Sequence, residues 1–416
     1  MSNKSSKYLG RDFWLFRSGQ IISVIGDATA DIAMAWWILE KSGSSSTMGS
    51  ILAIAMFSKT VILPFVGPIG DMVTRKWLIV ISDVWRCFIT AALLFLVYSG
   101  LFNLGIILAL YVASSLGSSL FNAVSPSIVP QLVKTEMIPT AVRQTQAIQA
   151  ASGVVSWLVG GLVVSIIGVY GALLINALSF IVAAVSAALI KSDTRPTKYH
   201  ENSIQLGIKL WGKNLLDGVN AMRSAPVLLG IAVVAMSLNF FLTPLAVVLP
   251  ALAKIGLSQP PWFLGALEGA AGSGAILGAT YSGYFVRKFS AQITVVFGIC
   301  LAGFATLFIG IVPGIIAPIF MMTFSGIGLS FVNTPLMIQL AIVVPENFRS
   351  RVSSLIGFIC QFAAPLGIAT AGTLVEGVGL NKTFIMMGSG VLLLAPSFIL
   401  IPGISYFFRM EKSFKF

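Results

Sequence analysis

Asp27, Asp31, Lys59 and Glu268 each stand inside a long run of apolar residues, where side chains that carry charge meet little water. A charge at the centre of a membrane helix costs about 2.5 to 3.5 kcal/mol on the insertion scale, so the four together carry on the order of 10 to 14 kcal/mol. They must face a wet cavity or one another. Carboxylates so placed can bind and release protons or hold a cation. Taking Gln20 as origin and about 100° per residue, Ser23, Asp27 and Asp31 fall with it on one stripe about 80° wide. Lys59 lies about 16 Å from the basic end of its span and Asp27 about 21 Å, at about 1.5 Å per residue, level enough to pair. Asp31, at about 27 Å, is then the candidate titrating group.

Glu268 is the one charged residue of a Gly-rich span, LGALEGAAGSGAILGA. Its Gly265/Gly269 and Gly274/Gly278 pairs permit close helix approach. Gln149, with Thr145, Ser152 and Ser156, and Asn239, with Thr243, recur at helical spacing and could line the same cavity, with Trp36, Trp37, Phe240 and Phe241 as aromatic surface.

The elements that must position these residues are membrane helices. The chain of 416 residues is 57% hydrophobic and 10% charged, with a mean hydropathy of +0.95, against roughly 25% charged in a soluble domain. At about 20 apolar residues per crossing, twelve spans are expected, near 13–39, 46–70, 77–99, 101–121, 144–167, 172–190, 226–251, 262–285, 291–312, 315–340, 352–376 and 383–408. The first follows Lys4, Lys7 and Arg11, is too long for a signal-peptide core and is expected to stay as an anchor. With the N-terminus inside, about 21 basic residues fall in inner loops against three outside, Lys41, Lys254 and Lys382. Arg86 and Lys59 fall within helices. Both termini are therefore expected in the cytoplasm, with the chain in the cytoplasmic membrane. The net charge of +12 reads as positive-inside loops, with no nucleic-acid partner.

Three divisions follow: a six-helix bundle over 1–190, a cytoplasmic linker over 191–225 with an amphipathic piece, IQLGIKLWGKNLLDGVNAM, and a second six-helix bundle over 226–416. Weak internal matches relate the bundles: Phe121 to Phe331, Pro126 to Pro335, Val129-Pro130 to Val344-Pro345, Arg143 to Arg351 and Gly160 to Gly367. A six-plus-six architecture places a substrate site at the midplane between halves.

Other chemistries are poorly furnished. One histidine, His200, and three scattered cysteines, Cys87, Cys300 and Cys360, leave no CxxC, HExxH or Cys/His cluster for a metal. No GxSxG or Walker-A glycines point to a membrane-embedded enzyme or to direct ATP coupling. A metal or metallophore carrier is the alternative reading, since Asp27 and Asp31 are hard oxygen ligands.

Between the second and third spans the chain reads GPIGDMVTRK. It resembles the G-x-L-x-D-R-x-G-R-K loop of the major facilitator superfamily at Gly67, Asp71, Arg75 and Lys76, with Met72 and Thr74 in place of Arg and Gly. An acid at a helix terminus beside two bases can bond a neighbouring helix's free N–H groups and latch one conformation. SGQIIS (18–23), AWWILEKSGSS (35–45), SDVWR (82–86), FNAVSPSIVPQLV (121–133), LLDGVNAMRSAPVL (215–228), FLTPLAVVLP (241–250), RVSSLIGF (351–358) and APLG (364–367) resemble, in order, the branch of macrolide efflux proteins and the enterobactin exporter. Of the family's fifth-helix antiporter motif, G-x-x-x-G-P-x-x-G-G, only SWLVGG (156–161) is retained, with Trp157 at the proline position. The resemblance implies an all-α major facilitator fold of two pseudo-symmetric six-helix bundles. It implies a secondary exporter of an amphipathic small molecule, drug, macrolide-like compound or siderophore, working by alternating access with protons as the coupling partner. Such a protein needs the lipid bilayer and no cofactor, and a single chain is expected to act as a monomer.

Overall fold

The computed structural model describes residues 9–66, 73–195, 212, 225–344 and 346–410. Gly67 and Asp71 of the loop, and the amphipathic piece of the linker, lie outside the described residues. Hydrocarbon offers no partner to a free N–H or C=O, so a spanning chain closes its hydrogen bonds within each helix. The helices are α1 (Arg11–Ser42), α2 (Ser45–Val66), α3 (Arg75–Tyr98), α4 (Leu104–Ile128), α5 (Ile138–Ala188), α6 (Pro226–Leu242), α7 (Leu245–Ala251), α8 (Pro261–Phe289), α9 (Ala291–Ile309), α10 (Ile316–Val343), α11 (Glu346–Val378), α12 (Leu380–Ile399) and the short α13 (Ile404–Phe407). A π-helical turn, Leu252–Gly256, follows α7 and carries Lys254.

Among the described residues ten helices are long and apolar enough to cross a membrane. The expected twelve spans divide the same helices more finely. The 51-residue α5 is broken at Gly168, whose φ of 69° lies in the left-handed region, so it supplies two crossings where continuous counting finds one. The glycines of α8 lower its hydropathy, which keeps that 29-residue helix out of the ten.

The chain forms two compact units, residues 1–33 with 61–208 and residues 34–60 with 209–416. The C-terminal part of α1 and most of α2 thus belong, by packing, with the helices of the second half of the sequence. Within that second unit a Cβ placed on Gly49 of α2 would fall 3.0 Å from the Ile368 carbonyl oxygen, and one on Gly372 of α11 would fall 3.0 Å from Ser46 Cα. The Phe57 and Phe362 rings meet edge to face at 6.3 Å.

Small residues set these distances throughout. Gly274 of α8 lies against the Thr323 carbonyl of α10, and Gly278 against Ile327, where Ser330 Oγ donates to the Ala275 carbonyl at 2.7 Å. The same device appears at matching places in the two halves. Gly160 of α5 lies on the α1 backbone, its notional Cβ 3.0 Å from Thr29 N, and Gly367 of α11 lies on the α6 backbone, 3.2 Å from Phe240 Cα. Gly117 of α4 faces the Ser82 carbonyl and Arg86 of α3, and Gly328 of α10 faces the Gly298 carbonyl and Ala302 of α9. This packing register makes Val332 the counterpart of Phe121 in the repeat, one residue from the Phe331 expected from the sequence comparison.

Overpacking a filled interface costs about 1 to 3 kcal/mol. Gly274→Ala should therefore lower the melting temperature in detergent by several degrees. Gly283→Ala on the same helix, where a Cβ meets nothing within 4 Å, should leave it unchanged.

Candidate functional site

Helix α1 carries the polar stripe, and its neighbours fix where the stripe points. A Cβ at Gly26 would fall 2.6 Å from Asn176 Oδ1 and 2.9 Å from Ser179 Cβ. That close approach seats α1 on the second limb of α5 one residue before Asp27. Arg86, on α3, reaches Asp27 Oδ2 through Nη2. The sequence depth argument named Lys59 for Asp27; the structure puts Arg86 there, because depth measures position along a helix and says nothing of which way the side chain faces. The Asp27–Arg86 pair has a third member. Asp83, one turn before Arg86, has Oδ1 3.6 Å from Arg86 Nη1.

Two further helices hold the Arg86 side chain. Phe180 of α5 lies 4.1 Å from the central carbon of its guanidinium and Phe121 of α4 5.7 Å, both within cation–π range. Gly117 leaves room for the stem, since a Cβ there would come within 2.8 Å of Arg86 Cγ. The arrangement is graded in exposure: the Asp27 side chain is 37% exposed, Arg86 9% and Asp83 0%. Neither oxygen of Asp83 has a hydrogen-bond partner among the described residues. Two carboxylates thus share one guanidinium, and the formal charge of the cluster is one negative. Asp31, one turn beyond Asp27, is exposed and lies close enough to Tyr111 of α4 to act on it electrostatically.

The remaining candidates are dispersed. Gln20 is half-buried and Gln149 exposed in the first unit. Lys59, exposed, Glu268, half-buried, and Asn239 belong to the second. Asn239 lines a cavity there, with one amide N–H donated to the Ala235 carbonyl at 2.9 Å.

Of the loop residues, Arg75 N–H donates to the Thr194 carbonyl at 3.1 Å and Lys76 Nζ to the Ile190 carbonyl at 2.7 Å. These bonds tie the start of α3 to the end of α5. Asp12 ties the start of α1 to the same segment: its Oδ2 accepts from Lys191 N–H at 3.0 Å, Ser192 N–H at 2.7 Å and Ser192 Oγ–H at 2.6 Å.

In the second unit the α1–α2 connection is clamped at both helix ends. Glu376 of α11 accepts from Ser44 Oγ–H at 2.7 Å and Ser46 N–H at 2.9 Å, capping the positive end of α2 from another helix. Lys254 Nζ donates to the Trp36 carbonyl and to Glu40 Oε2, each at 3.0 Å, and sits 4.9 Å from the centre of the Trp36 ring. Glu40 is 60% exposed, and such surface pairs contribute little. The carbonyl and ring contacts of Lys254 matter more.

A family model described as Major Facilitator Superfamily matches residues 18–368. The chain belongs to the Major Facilitator Superfamily. It is a multi-pass membrane transporter and not an enzyme. This transporter is 21% identical over 391 residues to macrolide efflux protein A of Streptococcus pyogenes, covering 92% of this chain and 94% of that one. It is 22% identical to multidrug efflux pump Tap of Mycolicibacterium fortuitum, covering 91% and 92%. Among solved structures, a variant of nucleoside transporter NupG superposes with a TM-score of 0.78 at 12% identity, over 94% of this chain and all of that one. That likeness shows the fold.

Sequence reading of the transporter passed over Asp83, Glu376 and Asp12. For Asp83 a signal exists: SDVWR sets an acid and a base three apart on one helix face. Glu376 and Asp12 act on residues more than 170 positions away, and no local pattern marks them.

Two outcomes check this geometry. Arg86→Met leaves the buried Asp83 and the partly exposed Asp27 without their guanidinium and should cost about 3 to 5 kcal/mol, whereas Asp83→Asn keeps a neutral Asp27–Arg86 pair and should stay within about 1 kcal/mol of wild type; chemical unfolding in detergent measures both. Loss of the Glu376 cap by Glu376→Ala should speed hydrogen exchange of the amides at 44–48 and leave those of 11–33 unaffected.

Proposed function

We propose that the transporter is a proton-coupled exporter of an amphipathic small molecule, working by alternating access. The Asp27–Arg86–Asp83 cluster carries this reading. Its two carboxylates and single guanidinium become neutral on taking one proton, and a neutral cluster and a charged one favour different surroundings. Asp27 gives the cluster its opening and Asp83 its buried acid, so a proton entering at the first can rest on the second. Asp31, on the same stripe, is a second proton-handling carboxylate, and Gln20, Gln149, Lys59, Glu268 and Asn239 serve the transport route. The relatives named for macrolide and multidrug efflux support a drug-like substrate and outward transport. The excess of basic residues in the loops between spans supports a cytoplasmic membrane with both termini inside. The matching glycine contacts of Gly160 and Gly367 support residues 1–190 and 226–416 as the two related halves of the cycle.

The test is transport in proteoliposomes under an imposed pH gradient, with a panel of macrolides, cationic dyes and siderophores. Wild type should accumulate at least one of them against its gradient. Asp83→Asn and Asp31→Asn should each retain substrate binding and downhill exchange while losing uphill accumulation at least tenfold. Full pH-driven accumulation in Asp27→Asn, Asp31→Asn and Asp83→Asn alike would rule out coupling through these carboxylates.

A further inference from the structure

The internal repeat relates two places inside the molecule. Gly160 meets α1 at Thr29 and Gly367 meets α6 at Phe240, which matches α1 to α6 with Phe240 as the counterpart of Thr29 in the repeat. Carried along the helix, this register matches Gln20, Ser23, Asp27 and Asp31 to Ile231, Val234, Leu238 and Leu242. All four of the latter line one cavity of 320 Å³ within the second unit. An independent register agrees. Gly117 meets α3 at Ser82 and Arg86, and Gly328 meets α9 at Gly298 and Ala302, so Asp83 corresponds to Ile299 and Arg86 to Ala302. Ile299 lines the same cavity. Where the first half of the chain holds three charged side chains, the second holds a space, because an alanine stands at the position of the arginine and leucine and isoleucine at those of the two acids.

We propose that this cavity is a binding site for a small, uncharged, largely apolar molecule carrying one or two hydrogen-bonding groups. Its chemistry selects that class. None of the fifteen lining residues is charged, and three, Asn239, Thr243 and Asn333, are polar. A charged ligand would enter without a counter-charge, which is costly away from water. A neutral one finds aliphatic walls, two carboxamides and a hydroxyl to fix its orientation. Size sets a further limit: at roughly 30 Å³ per water the space equals about ten waters, the low end of ligand pockets, so it takes one or two rings rather than a macrocycle. Packed interiors seldom leave unfilled voids of this size. The backbone also changes at its wall. Helix α6 ends at Leu242, α7 begins at Leu245, and Thr243 between them lines the cavity. Irregular backbone at membrane depth is tolerated where it borders a cavity.

The inference goes beyond the proposed export activity and is read by binding alone, so either can fail without the other. Benzophenone, neutral with one carbonyl acceptor, serves as a photoreactive probe on the purified full-length transporter, with adducts mapped by mass spectrometry. Adducts should concentrate on cavity residues of α6 and α10, such as Leu238 and Leu336. Ala235→Phe, which fills the space, should cut them at least tenfold, and Asn333→Leu, which keeps side-chain size and removes the amide, at least threefold, both at wild-type melting temperature. 4-Benzoylbenzoate and (4-benzoylbenzyl)trimethylammonium should label these residues at least tenfold less. If Ala235→Phe melts early, Asn333→Leu and the charged probes decide alone. Adducts spread over exposed residues and indifferent to either variant, or equal labelling by the charged probes, would overturn the proposal.

Discussion

Hydrocarbon tolerates a charge only when another charge or a pocket of water stands against it, and in this transporter that constraint is met by gathering charges. Arg86 is set between Asp27 and Asp83 with two aromatic rings over its guanidinium, and four helical segments must be in register for this to happen. Gly26 seats α1 on α5, and Gly117 opens α4 to the Arg86 stem. A bound guanidinium of this kind is a poor source of net stability, since desolvation consumes much of the attraction. Its removal would nonetheless be severe. The cluster therefore specifies an arrangement more than it stabilises one.

Close backbone approach at glycine is the second organising device, and it reveals the repeat more clearly than residue identity does. Gly160 and Gly367, and Gly117 and Gly328, meet equivalent backbone in their own halves. Around these shared contacts the side chains have diverged, to charge on α1 and α3 and to aliphatic groups with two asparagines on α6, α9 and α10. One architecture thus offers an ionic place and an apolar one.

The clamp on the α1–α2 connection uses helix ends rather than side-chain pairs alone. Glu376 caps the start of α2, and Lys254 serves the Trp36 carbonyl near the end of α1. Each charge is opposite in sign to the partial charge it meets, the Glu376 carboxylate at the positive start of α2 and the Lys254 ammonium at a carbonyl oxygen of α1. Such contacts are individually modest, about 1 kcal/mol for a cap, a scale at which they hold a conformation without freezing it.

The membrane class, the helical spans, the two-half organisation and the family were legible in the sequence, because apolar run length, loop charge and collinear motifs are local properties. The polar stripe of α1 was legible for the same reason: helical period fixes which residues share a face. What lay across from that stripe was not. Depth along a span suggested Lys59 for Asp27, while the azimuth of α3, set by Gly117 and the α1–α5 contact, brought Arg86 to it. Packing likewise placed residues 34–60 in the second compact unit, a grouping that no local pattern in the sequence marks. Sequence determines what each helix presents on each face; only tertiary packing decides which faces meet, because rotation of one helix about its axis changes every partner without changing a residue.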